Sequence, residues 1–408
     1  MKCRFCNSEL KDVFVDLGHA PLSNAFLSSE DQFRIEKSYP LKVFVCSECY
    51  LVQTGIEINS EDIFNDGYIY YSSFSKSWLK HAEEYVHKMM LKYSFDDSAL
   101  VVEIASNDGY LLQYFKNKNI PVLGIEPSGG TAEVAIKKGI DTRIEYFGKK
   151  SAENLVRDNI KADLIVGNNV LAHVPDINDF VSGFKTLLKN DGIITFEFPH
   201  LLKLVQQKQF DTIYHEHFFY LSLTIVKQIL QTHGLEIFDV EELQTHGGSL
   251  RIYVKHADNK NHNVTENVSR IIRIESDANI SSIEFYRVFQ RSVNEIKINI
   301  LDFLIEKKKQ GKKIIAYGAA AKGNTFLNFC GVKNDLIDYV VDASSYKQGK
   351  YLPGSHIPVF EESRIKEDKP EYILILPWNI KEEIMNQLSY VKDWGAKFLI
   401  SIPQLEVI

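Results

Sequence analysis

Residues 101–109, Val-Val-Glu-Ile-Ala-Ser-Asn-Asp-Gly, form the stretch on which the fold turns. A strand-length run leads into small residues and then into the helix-like YLLQYFKNK. A strand that ends in Ala105, Ser106 and Gly109 lets a ligand approach backbone amides, because little side chain stands in the way. The next strand, PVLGIEP, ends at Glu126, where a carboxylate can accept both hydroxyl protons of an adenosine ribose. The turn is not G-x-G-x-x-G, and no third glycine seats a pyrophosphate on the helix. That favours S-adenosylmethionine, which carries no phosphate, over a nicotinamide dinucleotide. A plain strand–turn–helix with a surface Glu126 is the competing reading of these residues alone.

Outward from this unit, ADLIVGNN and GIITFEFP are further apolar runs of strand length, each followed by a helix-like stretch. Such alternation predicts a parallel sheet with helices on both faces. LEIFDVEEL and SLRIYVKH flank His246-Gly247-Gly248 and predict an antiparallel hairpin. A parallel sheet closed by a late hairpin is the plan of class I methyltransferases, and residues 67–256 are expected to form that Rossmann-like domain. Residues 257–283 are polar and Asn-rich, and with a long amphipathic helix over roughly 284–309 they are expected to link 257–310. KKIIAYGAAAKGNTFLNF then repeats strand, Gly-rich turn and helix, so 311–408 is expected to be a smaller α/β, Rossmann-like domain. The fold class is thus α/β throughout, behind a separate N-terminal module over 1–66.

That module is marked by Cys3-x2-Cys6 and Cys46-x2-Cys49. Each C-x2-C turn brings two sulfurs to one side of a tight loop, and four thiolates satisfy a tetrahedral Zn²⁺. Such a site has no open position, so zinc here is expected to be structural. Four ordinary reduced cysteines, or a disulfide framework, are the weaker readings. Cys330 stands alone and reads as a small buried hydrophobe.

Bulk composition narrows the partners. With 408 residues, 45% hydrophobic, 25% charged and a formal net charge of -7, the chain has no basic footprint for nucleic acid. No apolar run approaches the ~18 residues that span a bilayer. MKCRFCNSEL holds no apolar signal core, and a cytoplasmic monomer is expected.

Candidate chemistry lies past the fourth and fifth strands. Ligands of open α/β sheets bind at the carboxyl ends of strands, which places His173 of NNVLAHVPD toward the cleft. In FDTIYHEHFFY, Tyr214, His215, Glu216 and His217 concentrate groups able to take or hold a proton. His215 with His217 could instead hold a metal from one face of a strand, and a polar loop closed by its own hydrogen bonds is the bland reading. In the C-terminal unit, the turn Gly318–Asn324 opens a helix whose amides, with Lys322, form an anion site. A tight turn that merely needs small residues explains it equally well.

With these segments in place, the chain resembles the S-adenosylmethionine-dependent nucleotide-sugar C-methyltransferases, and in particular the C-3′-methyltransferases of dTDP-4-keto-6-deoxysugars. The likeness covers nearly the whole chain: the paired C-x2-C, EIASNDG with GIEPS, YHEHFFYLS, HGGSLR, and AYGAAAKGNTFLN with VVDASSYKQGKYLPGSHIPV. Ala105 departs from it, standing where glycine is common. The resemblance implies that Cys3, Cys6, Cys46 and Cys49 hold zinc. It implies that Glu103, Ala105, Ser106, Asn107, Gly109, Glu126, Asn168 and Asn169 surround the cofactor. His217 is then the base, Glu216 and Tyr214 orient and tune it, and His173 shares the proton relay or polarises the ketone. Ala321, Lys322 and Asn324 would hold the sugar-nucleotide diphosphate, with Asp342 and Lys347 near its base or ribose. Tyr70 and Tyr71 would line the sugar pocket or simply pack, and Arg251 would touch ligand or satisfy the hairpin. The implied reaction is methylation at C3 beside a C4 ketone. Methylation at C5 and an NAD(P)-dependent sugar oxidoreductase are the alternatives, and a zinc-anchored scaffold is a third.

Overall fold

The computed structural model describes residues 1–55 and 71–408. Three sheets organise them. The first begins with β1 (Asp12–Ala20), β2 (Tyr39–Val45) and β3 (Val52–Thr54), paired antiparallel in that order. In β2 Leu41, Val43 and Val45 are buried in strict alternation, the mark of a strand with one face on a core. Gly18, with φ +76, sits at a register shift between Asp16 and His19, an irregularity inside β1.

The helix Lys76–Tyr93 leads into the second sheet. Ser75 caps it by accepting the Trp78 N–H, and Ala82, Tyr85, Val86 and Met89 recur at i, i+3, i+4, i+7 on its buried face. The strands that follow are β4 (Val101–Ile104), β5 (Val122–Ile125), β6 (Thr142–Arg143), β7 (Ala162–Asn168) and β8 (Leu188–Pro199). After β9 (Phe219–Tyr220) come β10 (Leu235–Leu243) and β11 (Ser249–His256). The sheet order is β10-β11-β8-β7-β4-β5-β6, parallel from β8 to β6, with β11 antiparallel to both neighbours. The Rossmann-like plan with a closing hairpin is therefore present. β4 is buried along its whole length, as a central strand covered on both faces must be.

β9 does not join that sheet. It pairs with β3, Val52 opposite Tyr220 and Gln53 opposite Phe219, and becomes the fourth strand of the N-terminal sheet. The stretch expected to be a free linker also differs. Within 257–283 the helix Glu266–Asp277 buries Val268, Ile271 and Glu275. Glu275 accepts from His200 Nε2 at 2.7 Å and from the amides of Leu223 and Thr224 at 2.6 and 2.8 Å. Its apolar residues fall at helical spacing, so a stretch rich in asparagine still packs as a helix.

The third sheet holds β12 (Ile314–Tyr317), β13 (Val340–Val341), β14 (Val359–Phe360), β15 (Tyr372–Ile375), β16 (Lys397–Ile400) and β17 (Glu406–Val407). Its order is β14-β13-β12-β15-β16-β17, parallel except for β17. The carboxyl ends of β12 and β15 open on the side where the helix Ala321–Cys330 begins. Among the described residues no helix is long and apolar enough to cross a membrane.

Candidate active site

A cavity of about 1020 Å³ lies where the three sheets meet. That volume lies at the upper end of the range of about 300–1,000 Å³ for ligand pockets. Its wall draws on every unit: Asn24 and Phe26, Glu126 and His173, and Lys322 and Lys347.

At one end stand the carboxyl ends of β4, β5 and β7. Glu126 Oε2 accepts the Asn107 amide and Oε1 the Ser128 amide, each at 2.9 Å, so the carboxylate ties the two turns together. Burial raises its pKa even with both amides bonded to it. Asn168 and Asn169 line the same wall, and the Oδ1 atoms of both are buried without a hydrogen-bond partner. Orphaned acceptors in a cavity wall are what a polar ligand would satisfy, and beside Glu126 they fit the ribose and amino-acid ends of S-adenosylmethionine. Ala105 and Asn107 also face the cavity. Glu103, Ser106 and Gly109 do not. Glu103 is buried within β4, where burial pushes its pKa well up. Ser106 packs against Gly124, and Gly109 lies over Ile140, whose Cδ1 would be 2.3 Å from an added Cβ. These three shape the turn from behind.

The middle of the cavity is walled by imidazoles. His217 Nδ1 lies 2.8 Å from the Thr212 carbonyl. A carbonyl can only accept, so Nδ1 carries the proton and Nε2 keeps its lone pair. The ring is 4.7 Å from that of His173 and 4.0 Å from that of Tyr214. Burial, with His173, His246 and Lys322 nearby, holds the pKa of His217 well below its ordinary value. Burial likewise lowers His173 to about 4 and His246 to about 4. Glu216 lines the cavity, but its carboxylate is turned to the N-terminal module. It accepts from Ser23 Oγ at 3.1 and 3.0 Å and from Asn24 Nδ2 at 3.2 Å. The expectation that Glu216 orients His217 is thereby corrected: Thr212 does so. His215 lies on the other side of the segment, beside Tyr39 and a small space lined by Ala20 and Leu41, so it cannot share a metal with His217.

The far end belongs to the C-terminal unit. Ala321, Lys322 and Lys347 face the cavity. Lys322 Nζ donates to Asn379 Oδ1 at 2.6 Å and lies 4.9 Å from the centre of the Trp378 ring. Asn324 turns away and donates to the Ser23 carbonyl at 2.6 Å. Asp342 closes its own loop, accepting from the amides of Ala319 and Ser344 at 2.7 and 2.8 Å, with Lys347 Nζ 3.3 Å away. Arg251 is absent from the wall because Glu197, fully buried in β8, holds it at 2.9 Å. Tyr71 packs at a tilt against Phe74 and Tyr346 instead of lining the cavity, and Tyr70 lies outside the described residues. Residues not singled out from the sequence also line it, among them Ser72, Trp78, Tyr146 and His246. Only His246 had a signal, as the lone histidine of HGGSLR.

Away from the cavity, the four N-terminal sulfurs lie within 4.8 Å of one another, Cys3 to Cys49 at 3.6 Å and Cys6 to Cys46 at 3.5 Å. Sulfurs on a tetrahedral ion with Zn–S bonds of about 2.3 Å are about 3.8 Å apart, so the set fits zinc. Both knuckles close alike: Asn7 N–H donates to Cys3 O and Tyr50 N–H to Cys46 O, each at 2.9 Å, with φ +63 and +61 at the donor residue.

Three family models match the chain: a zinc binding domain over residues 3–64, a methyltransferase domain over 78–240 and a C-methyltransferase C-terminal domain over 244–403. A full-length relative, C-methyltransferase NovU of Streptomyces niveus, is 32% identical over 407 residues, covering 100% of this chain and 96% of its own. Among solved structures, an S-adenosylmethionine-dependent methyltransferase of Clostridium acetobutylicum is 13% identical, covers 44% of this chain and 92% of its own, and gives a TM-score of 0.34. Magnesium protoporphyrin IX methyltransferase of Synechocystis is 14% identical, covers 43% of this chain and 82% of its own, at 0.34. The family is carried by the full-length relative, and it favours methyl transfer over the oxidoreductase and scaffold readings. The chain belongs to the C-methyltransferases, enzymes that use S-adenosylmethionine, and it carries a zinc-binding module at its N-terminus.

Proposed function

We propose that the enzyme methylates C3 of a 4-keto-6-deoxy nucleotide sugar. The observation that carries this reading is His217, a neutral imidazole with its Nδ1–H committed to Thr212, in the wall of a cavity that also holds Glu126 and Lys322. S-adenosylmethionine supplies an electrophilic methyl group when bound. A ketone at C4 acidifies the neighbouring C3–H, and Nε2 of His217 takes that proton, leaving the electron pair on the enolate. C3 would then take the methyl group of bound S-adenosylmethionine, the sulfur–methyl bond breaking as the C–C bond forms. His173, whose ring is 4.7 Å away, supports the relay, and Tyr214 confines the imidazole. Lys322 and Lys347 supply the positive charge that a diphosphate requires. Holding carbon and methyl in line at ~3–3.5 Å is the remaining task of the walls.

Two experiments test this. Purified protein is screened against dTDP-, GDP-, CDP- and UDP-linked 4-keto-6-deoxy sugars with S-adenosylmethionine, and mass spectrometry should find one added methyl on a sugar carbon. His217→Asn should lower turnover ~10²–10⁴-fold while S-adenosylhomocysteine affinity stays nearly unchanged. Wild-type turnover in that variant removes the base assignment.

A further inference from the structure

The segment bearing the candidate base is gripped from the C-terminal unit. Asp211 is buried in the single turn Phe210–Thr212, and its Oδ2 accepts the indole N–H of Trp378 at 2.7 Å. Trp378 follows β15 and is enclosed on its other side by Gly247, where an added Cβ would lie 2.6 Å from the indole. Beside this bond, Thr325 Oγ1 donates to the Ile213 carbonyl at 3.0 Å. The ring of Phe210 rests against Phe326 and Phe329 at 6.0 and 5.2 Å. Thr212, the residue after Asp211, presents the carbonyl that holds His217 Nδ1. The turn Phe210–Thr212, closed by the Ile213 N–H on the Phe210 carbonyl at 3.0 Å, carries a shift of Asp211 on to that carbonyl.

We infer that Trp378 is a positioning residue for the methyl transfer: through Asp211 it fixes the Thr212 carbonyl, and through that carbonyl the tautomer and aim of His217. Partners one bond removed from a reacting group set its geometry, and small displacements there cost rate rather than affinity. The inference rests on His217 being the base.

Trp378→Phe keeps an aromatic ring beneath Lys322 but removes the N–H together with part of the indole, and Asp211→Ala removes its acceptor while leaving the indole in place. With the keto sugar that turns over fastest in the screen, each variant should lose about tenfold in kcat, with KM for sugar and cofactor within about twofold, as expected for misalignment of a general base. The double variant should lose no more than either single one, because both delete one interaction. Unchanged kcat in a folded Trp378→Phe, losses that multiply in the double variant, or a loss carried by KM would overturn the inference. His217→Asn separates the two readings. If it turns over normally the base assignment falls and this inference with it. If it is inactive while Trp378→Phe is normal, only the positioning role falls.

Discussion

His217 and Thr212 are five residues apart and are joined by a bond of 2.8 Å from the ring Nδ1–H to the main-chain carbonyl. That bond decides which nitrogen can act as a base, and it does so without a charged partner. An imidazole paired with a carboxylate would have its pKa raised, whereas this one sits among His173, His246 and Lys322 and is held down chiefly by burial, with the Lys322 charge acting in the same direction.

The pH profile follows from that direction. A base works deprotonated, and the folded pKa of His217 lies below the ordinary value of about 6.5. Turnover should therefore stay level from neutral pH down past 6.5 and fall only at lower pH. Removing a neighbouring positive charge raises the pKa, so Lys322→Met should move the acid limb of kcat toward higher pH. A limb that stays in place in that variant shows that Lys322 does not act on His217.

Glu126→Gln tests the cofactor wall. The carboxylate accepts two backbone N–H groups, and an amide can offer only one oxygen, so its NH2 would face a donor. Calorimetry with S-adenosylhomocysteine should show at least a tenfold weaker Kd, in keeping with about 1–3 kcal/mol for a buried unsatisfied group. Unaltered affinity would place the adenosine elsewhere.

Cys49→Ser should act on the reaction from a distance. The zinc ligands sit in the module whose strand β3 pairs with β9, two residues after His217, and Gln53 of β3 donates to Cys3 Sγ at 3.1 Å. Loss of the metal, followed by elemental analysis, should lower the melting temperature and reduce turnover by more than S-adenosylhomocysteine affinity. Equal loss of both would show general unfolding instead.

Ala105→Gly should stabilise the protein. Ala105 has φ +58, a left-handed conformation that glycine adopts freely and alanine does not. Relief of that strain is worth about 0.5–1 kcal/mol, visible as a higher melting temperature by calorimetry.

The parallel strands, the closing hairpin and the zinc knuckles were legible because they rest on local patterns: apolar runs at strand length, strands flanking Gly247-Gly248, and cysteine pairs with two residues between them. The aim of individual side chains was not. Arg251, Asn324 and Asp342 carry the right chemistry for a ligand, yet each is engaged by a residue of the protein: Glu197, Ser23 and Ala319. Glu197 is 54 positions from Arg251, and Ser23 is 301 from Asn324. No spacing rule reaches that far. Glu216 and His217 are neighbours whose side chains answer to different units, since the chain reverses there in a turn closed by the His217 N–H on the Tyr214 carbonyl at 2.9 Å. Ala105 shows the converse case, where the departure from glycine was visible but its backbone cost was not.

The pairing of β3 with β9 also bears on how such enzymes can be recombined. A chimaera cut at residues 66 and 257 would carry Phe219 and Tyr220 away from the edge that completes them, leaving unpaired amides beside His217. Exchanging the C-terminal lobe would separate Asp211 from Trp378 in the same stroke. Breakpoints drawn between the three segments of the chain would therefore sever both contacts, because the first sheet borrows a strand from beyond the cut.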